Sequence, residues 1–164
     1  MNGLELGMKL LRSADLMSGW KAYGIETAQT KLYRISLVLP DGSGEFQINR
    51  IWHAKAAHFH RSAMMSLIVR NGYWWQLQQK GAAEFVRLFA APGSIVSMGP
   101  EDVHLIEETS RPSISFCWFG MAYGVLPGMH TLTPVDRYDL WDDAKLYVAA
   151  AESGRSAEAE GGGN

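Results

Sequence analysis

From Lys31 onward, apolar and polar residues alternate in short runs separated by turn residues. "KLYRISLVLP" is rich in β-branched and aromatic side chains, and Pro40 with "DGSG" closes it. "EFQINRIWHA" sets Phe46 and Ile48 against Gln47 and Asn49, the period of a half-buried strand. "MMSLIVRNGYWWQLQQ" reads as two strands about Asn71-Gly72, a strong short hairpin signal. "AEFVRLFA" ends at "APG", "SIVSM" and "VHLIEE" flank a turn at "GPED", and "SISFCWFGM" closes the series. Roughly eight strands therefore fall within residues 31–122, at the spacing of all-β chains. A closed barrel or jelly roll is the arrangement that deals with so many strand edges. Residues 1–30 form an N-terminal segment whose apolar residues are mixed with charges. Residues 123–152 hold a Gly/Pro-containing loop and then "DRYDLWDDAKLYVAAAE", which has the acidic start and Ala-rich end of a helix. Residues 153–164, "SGRSAEAEGGGN", lack large apolar side chains and are expected to be a disordered tail.

The 164 residues fit one domain, and 47% hydrophobic with 20% charged residues is an ordinary globular balance. The formal net charge is −2 with no basic block, so nucleic acid is not an expected partner. Cys117 is the single cysteine, which excludes an intramolecular disulfide and a Cys-rich zinc site. No run is apolar and long enough to span a bilayer, and the start lacks a continuous signal-peptide core. The cytoplasm is the expected location, with no membrane partner.

"HFHRSAMMSLIVRNG" changes the picture, because it places two histidines one residue apart. On a strand, positions i and i+2 share a face, so His58 and His60 project together as two ligands of one metal need to. The segment resembles the first motif of the cupin superfamily, G-x5-H-x-H-x3–4-E-x6-G. His58, His60 and Gly72 occupy motif positions, whereas Trp52 stands at the first glycine and Met65 at the glutamate. "GSIVSMGPEDVH" resembles the second motif, G-x5-P-x-G-x2-H-x3-N. Gly93 and His104 match it; Gly99, Glu101 and Glu108 replace its proline, glycine and asparagine. The resemblance covers residues 52–108. It implies a cupin-type double-stranded β-helix, a jelly-roll barrel, with a metal on His58, His60 and His104.

The departure at Met65 implies a three-His site in place of three histidines and a carboxylate. A thioether is a poor ligand for hard divalent ions, so Met65 reads as a pocket wall residue. Thiol dioxygenases, which belong to the same superfamily, use a three-His iron site. The resemblance thus implies Fe(II) first, with Zn(II), Mn(II) or Ni(II) as alternatives. Three neutral ligands leave the ion its full charge, which favours a small polar or anionic molecule. The expected activity is oxidation of a dioxygenase type. One rival is a non-catalytic small-molecule-binding or assembly module. The other is a metal-free isomerase or epimerase, which needs a carboxylate, Asp102 or Glu107, behind a histidine.

Arg70 and Arg87 lie within strands, and an inward arginine there would anchor a carboxylate. Arg70 and Cys117 join Met65 as candidate pocket residues, although a lone cysteine in an apolar strand more often packs as a small hydrophobe. His53 is expected at the surface or behind the ligands, and His130 in solvent. Neighbours on a strand face opposite ways, so half of Trp74, Trp75, Trp118 and Phe119 should be core and half should face outward. An aromatic exterior fits a homodimer.

Overall fold

The computed structural model describes residues 20–121, 128–132, 139, 140 and 142. Among the described residues the ten strands are β1 Lys21–Glu26, β2 Thr30–Val38, β3 Glu45–Phe59, β4 Met64–Arg70, β5 Tyr73–Gln78, β6 Val86–Ala90, β7 Ile95–Met98, β8 Val103–Ile106, β9 Ser113–Phe119 and β10 His130–Thr131. The pairings are antiparallel. The fold is all-β, a nearly closed jelly-roll barrel. The sheet already begins at Lys21, inside the segment that the pattern leaves as N-terminal. The expected C-terminal helix and tail lie outside the described residues, apart from Asp139, Leu140 and Asp142, which are helical.

β3 joins the two halves of the barrel. Its first part pairs with β2 on one edge and with β9 on the other, and β9 continues to β4 and β7. Its last part pairs with β8, which leads to β5 and β6. Trp52 marks the change. Lys31 pairs with His53 and Leu32 with Ile51, so Trp52 is an extra residue, a β-bulge. Its carbonyl accepts hydrogen bonds from the Thr109 N–H at 2.9 Å and the Thr109 hydroxyl at 3.1 Å. An extra residue switches the inward parity of a strand. Gln47, Asn49 and Ile51 face the cavity before the bulge, and Ala54, Ala56, His58 and His60 face it after.

Two apolar clusters hold the barrel. One lies between its walls and includes Ile68, Trp75, Ile106 and Phe119. The other lies on the outer face of β2, β3, β4 and β9, where Ile35, Phe46, Ile48 and Phe116 are wholly buried. Trp20, Leu132 and Leu140 cover it. Phe46 and Phe116 stack with centroids 6.0 Å apart. The segment around Phe46 is therefore buried on both faces, not half-buried as its alternation suggests.

The Asn71-Gly72 turn corrects another expectation. β4 pairs with β7 and β9, and β5 with β6 and β8, so the turn carries the chain from one half of the barrel to the other and closes no hairpin. Asn71 takes the left-handed φ of 49°, and its side-chain amide donates to the Pro112 carbonyl at 3.0 Å. Gly72 lies so close to the Ala90 carbonyl that a Cβ would sit 2.3 Å from that oxygen. The dipeptide has the backbone of a tight turn, but packing against β6 and the Pro112 loop decides where the chain goes next.

Candidate metal centre

His58 lies near the end of β3 and pairs directly with His104 on β8. His60 follows just beyond β3, while Phe59 between them turns out to solvent. The backbone N–H of Glu101, a residue with φ 70°, donates to the His60 carbonyl at 3.0 Å and ties the turn before β8 to the site. His60 and His104 are buried and His58 is half-buried. Phe119 packs against the His60 ring, with centroids 5.1 Å apart, and Trp75 meets His104 edge-on at 6.2 Å.

The three imidazoles converge through one kind of nitrogen. His104 Nε2 lies 3.0 Å from His58 Nε2 and 3.0 Å from His60 Nε2. Their three ligand atoms all fall within 4.8 Å of one another. His58 Nδ1 is 2.9 Å from the Ala56 carbonyl, which can only accept, so Nδ1 carries the proton. That bond fixes the tautomer and leaves a lone pair on Nε2 of the neutral ring, the state a metal ligand needs.

Electrostatics keep the other two rings neutral. Burial, then the cost of adding a positive charge beside His58 and beside Arg34, holds His60 down to about 4. Burial, then His58 and His60, holds His104 down to about 2. Three neutral nitrogens facing one point crowd lone pairs together, because one Nε2 carries either one proton or one lone pair. A single cation satisfies all of them. Ligands at right angles on a bond of about 2.1 Å stand about 3.0 Å apart, the spacing of both measured pairs. The residues present therefore fit a divalent ion.

The histidines form one end of a cavity of about 290 Å³. Met64, Tyr73, Ile106 and Phe119 continue its wall. The glutamate position of the motif, with a three-residue gap, falls on Met64, and it is Met64 that faces the cavity. Met65 points the other way and packs on the outer cluster, so its reading as a pocket residue is corrected by one place. Arg70 is also corrected. It is exposed and lines a separate cleft with Arg50 and Arg111. Arg87 faces outward over the Trp74 ring and holds Glu107.

Cys117 does line the cavity. Its thiol donates to Ser66 Oγ at 3.1 Å and accepts from Asn49 Nδ2 at 3.2 Å. Burial pushes its pKa up, so the thiol stays protonated. Burial likewise raises the phenol of Tyr73. His53 is buried rather than at the surface and stands apart from the trio, its Nε2 3.5 Å from the Thr27 carbonyl. His130 is exposed. Trp75 and Phe119 are buried inside, Trp74 is exposed, and Trp118 packs on the outer cluster.

The carboxylates around His104 engage other groups. Glu101 pairs with Lys80 and Glu108 with Lys55. Asp102 accepts the N–H groups of Lys80 and Gly99, and Glu107 binds Arg87 and Gln76. Among the described residues, none of these four is hydrogen-bonded to His104. The acid–base partner that the epimerase reading needs is therefore not found among the described residues.

Arg34, Gln47, Asn49, Ser66 and Ser115 also line the cavity and were missed in the sequence. Their signal was present as polar residues at every second position of β2, β3 and β9. Polar alternation ordinarily marks a solvent face, and here it marks the inside.

No model of a known protein family and no curated protein sequence matches this chain. Solved structures do. Oxalate decarboxylase from Bacillus subtilis matches with TM-score 0.54 at 12% identity, over 72% of this chain and 33% of its own. The chain has the cupin fold. CapF matches with TM-score 0.50 at 13% identity, over 73% of this chain and 36% of its own. The chain spans about a third of the length of these proteins. A further match, with TM-score 0.54 at 11% identity, concerns the Mn(II) centres of the Bacillus subtilis enzyme.

Proposed function

We propose that this cupin holds a divalent metal on His58, His60 and His104 and oxidises a small polar or anionic molecule in a dioxygenase-type reaction. The observation that carries the reading is the convergence of three Nε2 atoms, with the His58 tautomer fixed by the Ala56 carbonyl. Fe(II) is the first choice, ahead of Zn(II), Mn(II) and Ni(II), because the reading includes O2; nitrogen ligands alone do not rank them. When bound, the ion supplies Lewis acidity and open coordination positions. The chain supplies the rest. The Ala56 carbonyl orients His58. Phe119 and Trp75 hold His60 and His104 in place, and Met64 and Ile106 keep the wall apolar. A dioxygenase reaction places both atoms of O2 in the organic product, so it needs no separate reductant.

Metal content measured by mass spectrometry on tag-free protein tests this. Near-stoichiometric metal, lost in both His58→Ala and His104→Ala, is expected, followed by oxygen uptake after anaerobic Fe(II) loading. No metal in any sample, even after reconstitution, removes the dioxygenase reading and leaves a binding module.

A cytoplasmic homodimer belongs to the same reading. The hairpin β5–β6 ends at an edge strand and exposes Trp74, Val86 and Phe89, a surface on which a second copy would sit. Sedimentation of wild type against Phe89→Glu checks it: a dimer that the substitution splits is expected, and a wild-type monomer removes it.

A further inference from the structure

The backbones of the three histidines are held differently. His58 and His104 sit in β3 and β8 and pair with each other in register. His60 follows immediately after β3, where the strand has ended. There its carbonyl accepts the Glu101 N–H at 3.0 Å. Where Glu101 points its N–H therefore bears on where the His60 ring stands.

The backbone of Glu101 carries strain. Gly99, Pro100, Glu101 and Asp102 form a turn in which the Asp102 N–H donates to the Gly99 carbonyl at 3.4 Å. Pro100 presets the second position, and Glu101 at the third takes φ 70°. That is the order of a type II turn, whose third position calls for glycine. Glu101 also stands where the second cupin motif has its glycine. A residue with a Cβ holds such a φ only where its surroundings over-determine it, and such residues gather at functional sites.

Asp102 supplies the constraint. One of its carboxylate oxygens accepts the Gly99 N–H at 2.8 Å, and the other accepts the Lys80 N–H at 2.8 Å. The first bond closes the turn on itself. The second ties it to the tip of the β5–β6 hairpin, where the Ala82 N–H donates to the Gln79 carbonyl at 2.9 Å. Both bonds are charge-assisted, and the Asp102 side of the turn is half-buried. The Lys80 ammonium also pairs with the Glu101 carboxylate, but both groups are exposed, so that pair contributes little.

We infer that Asp102 is a positioning residue: it clamps the Gly99–Asp102 turn so that the left-handed Glu101 fixes His60 against His58 and His104. The consequence for metal affinity rests on the metal reading above; the placement of His60 does not.

Co(II) uptake, followed by its visible bands, is measured on the full chain for wild type and Asp102→Ala, each with and without His60→Ala. Asp102→Ala is expected to weaken Co(II) about tenfold, the usual cost of losing a group that orients a ligand. In the His60→Ala background the same substitution should have no effect, because a loss that acts through His60 vanishes with it. Asp102→Asn keeps one acceptor oxygen and should recover part of the loss. Glu101→Val resists the left-handed φ and should weaken Co(II) as Asp102→Ala does, whereas Glu101→Gly should restore it; this pair decides the matter if Asp102→Ala does not fold. Unchanged affinity in Asp102→Ala, or an equal loss with and without His60, overturns the inference. If wild type takes up no Co(II), the metal reading fails separately. Hydrogen exchange on the metal-free chain then decides. A Glu101 amide protected in wild type and opened in Asp102→Ala, with the β8 amides unchanged, upholds the clamp. Equal protection in both proteins, or loss of protection throughout β8, overturns it.

Discussion

On one face of β2, β3, β4 and β9 stand Ile35, Phe46, Ile48, Val69, Ile114 and Phe116; on the other stand Arg34, Ser36, Gln47, Asn49, Ser66 and Ser115. Both faces are buried, so exposure to water does not explain the difference. The apolar face packs against Trp20, Leu132 and Leu140, outside the barrel. The polar face looks inward, and all of these residues but Ser36 line the same cavity as the three histidines. Residues that break the apolar rule inside a protein usually serve a ligand rather than the fold. Because the outer face carries much of the packing, the inner wall can be polar.

The sharpest way to break this contrast is one substitution on each face. Phe116→Ala empties space in a fully buried stack with Phe46, and it should cost about 3–5 kcal/mol in denaturant unfolding. Asn49→Leu keeps the volume and removes a polar group, so it should cost under about 1 kcal/mol. Equal losses would mean that the inner wall is structural, and the contrast would fall.

Metal addition is the next largest effect. An ion that binds only the folded chain stabilises it by about 2.7 kcal/mol at a hundred times its dissociation constant. A thermal melt should show this gain in wild type and not in His104→Ala. A gain that survives in His104→Ala would place the ion elsewhere.

The sequence carried the ligands better than the wall. His58, His60 and His104 were legible because a two-residue spacing and a distant third histidine are local marks of metal chemistry. Their direction was not. Counting by twos from Phe46 and Ile48 puts His58 and His60 on the outer face, and only the bulge at Trp52 turns them inward. A single insertion in register arises from pairing with β2, a contact distant in sequence. The same limit explains Met64 against Met65, since a motif with a variable gap names two residues that point opposite ways. Arg34 was hidden for a different reason. A charged residue on an alternating strand reads as a solvent position, and nothing local says that this barrel buries its polar side. The Asn71-Gly72 turn was legible as a bend, but the partners of the strands on either side of it were set by packing across the barrel.

The smallest effect tests the exposed surface against both buried faces. Arg87 holds Glu107 through two hydrogen bonds of 2.8 Å and lies over the Trp74 ring. The Arg87 hydrogen bonds, then that of Gln76, bring the Glu107 carboxyl down to about 2 from its usual 4.5. A carboxyl depressed in the folded state stabilises the protein above its unfolded pKa, and that contribution fades as pH falls from about 4.5 through about 2. Solvent screens a pair this exposed, so the gain is small even at neutral pH. Glu107→Gln should therefore lower the melting temperature slightly at about pH 6, with the gap closing towards about pH 2. A gap that is large, or that grows in acid, would mean that this outer ion pair holds β5, β6 and β8 together. The division between a packed outer face and a ligand-facing inner wall would then need a third, electrostatic support.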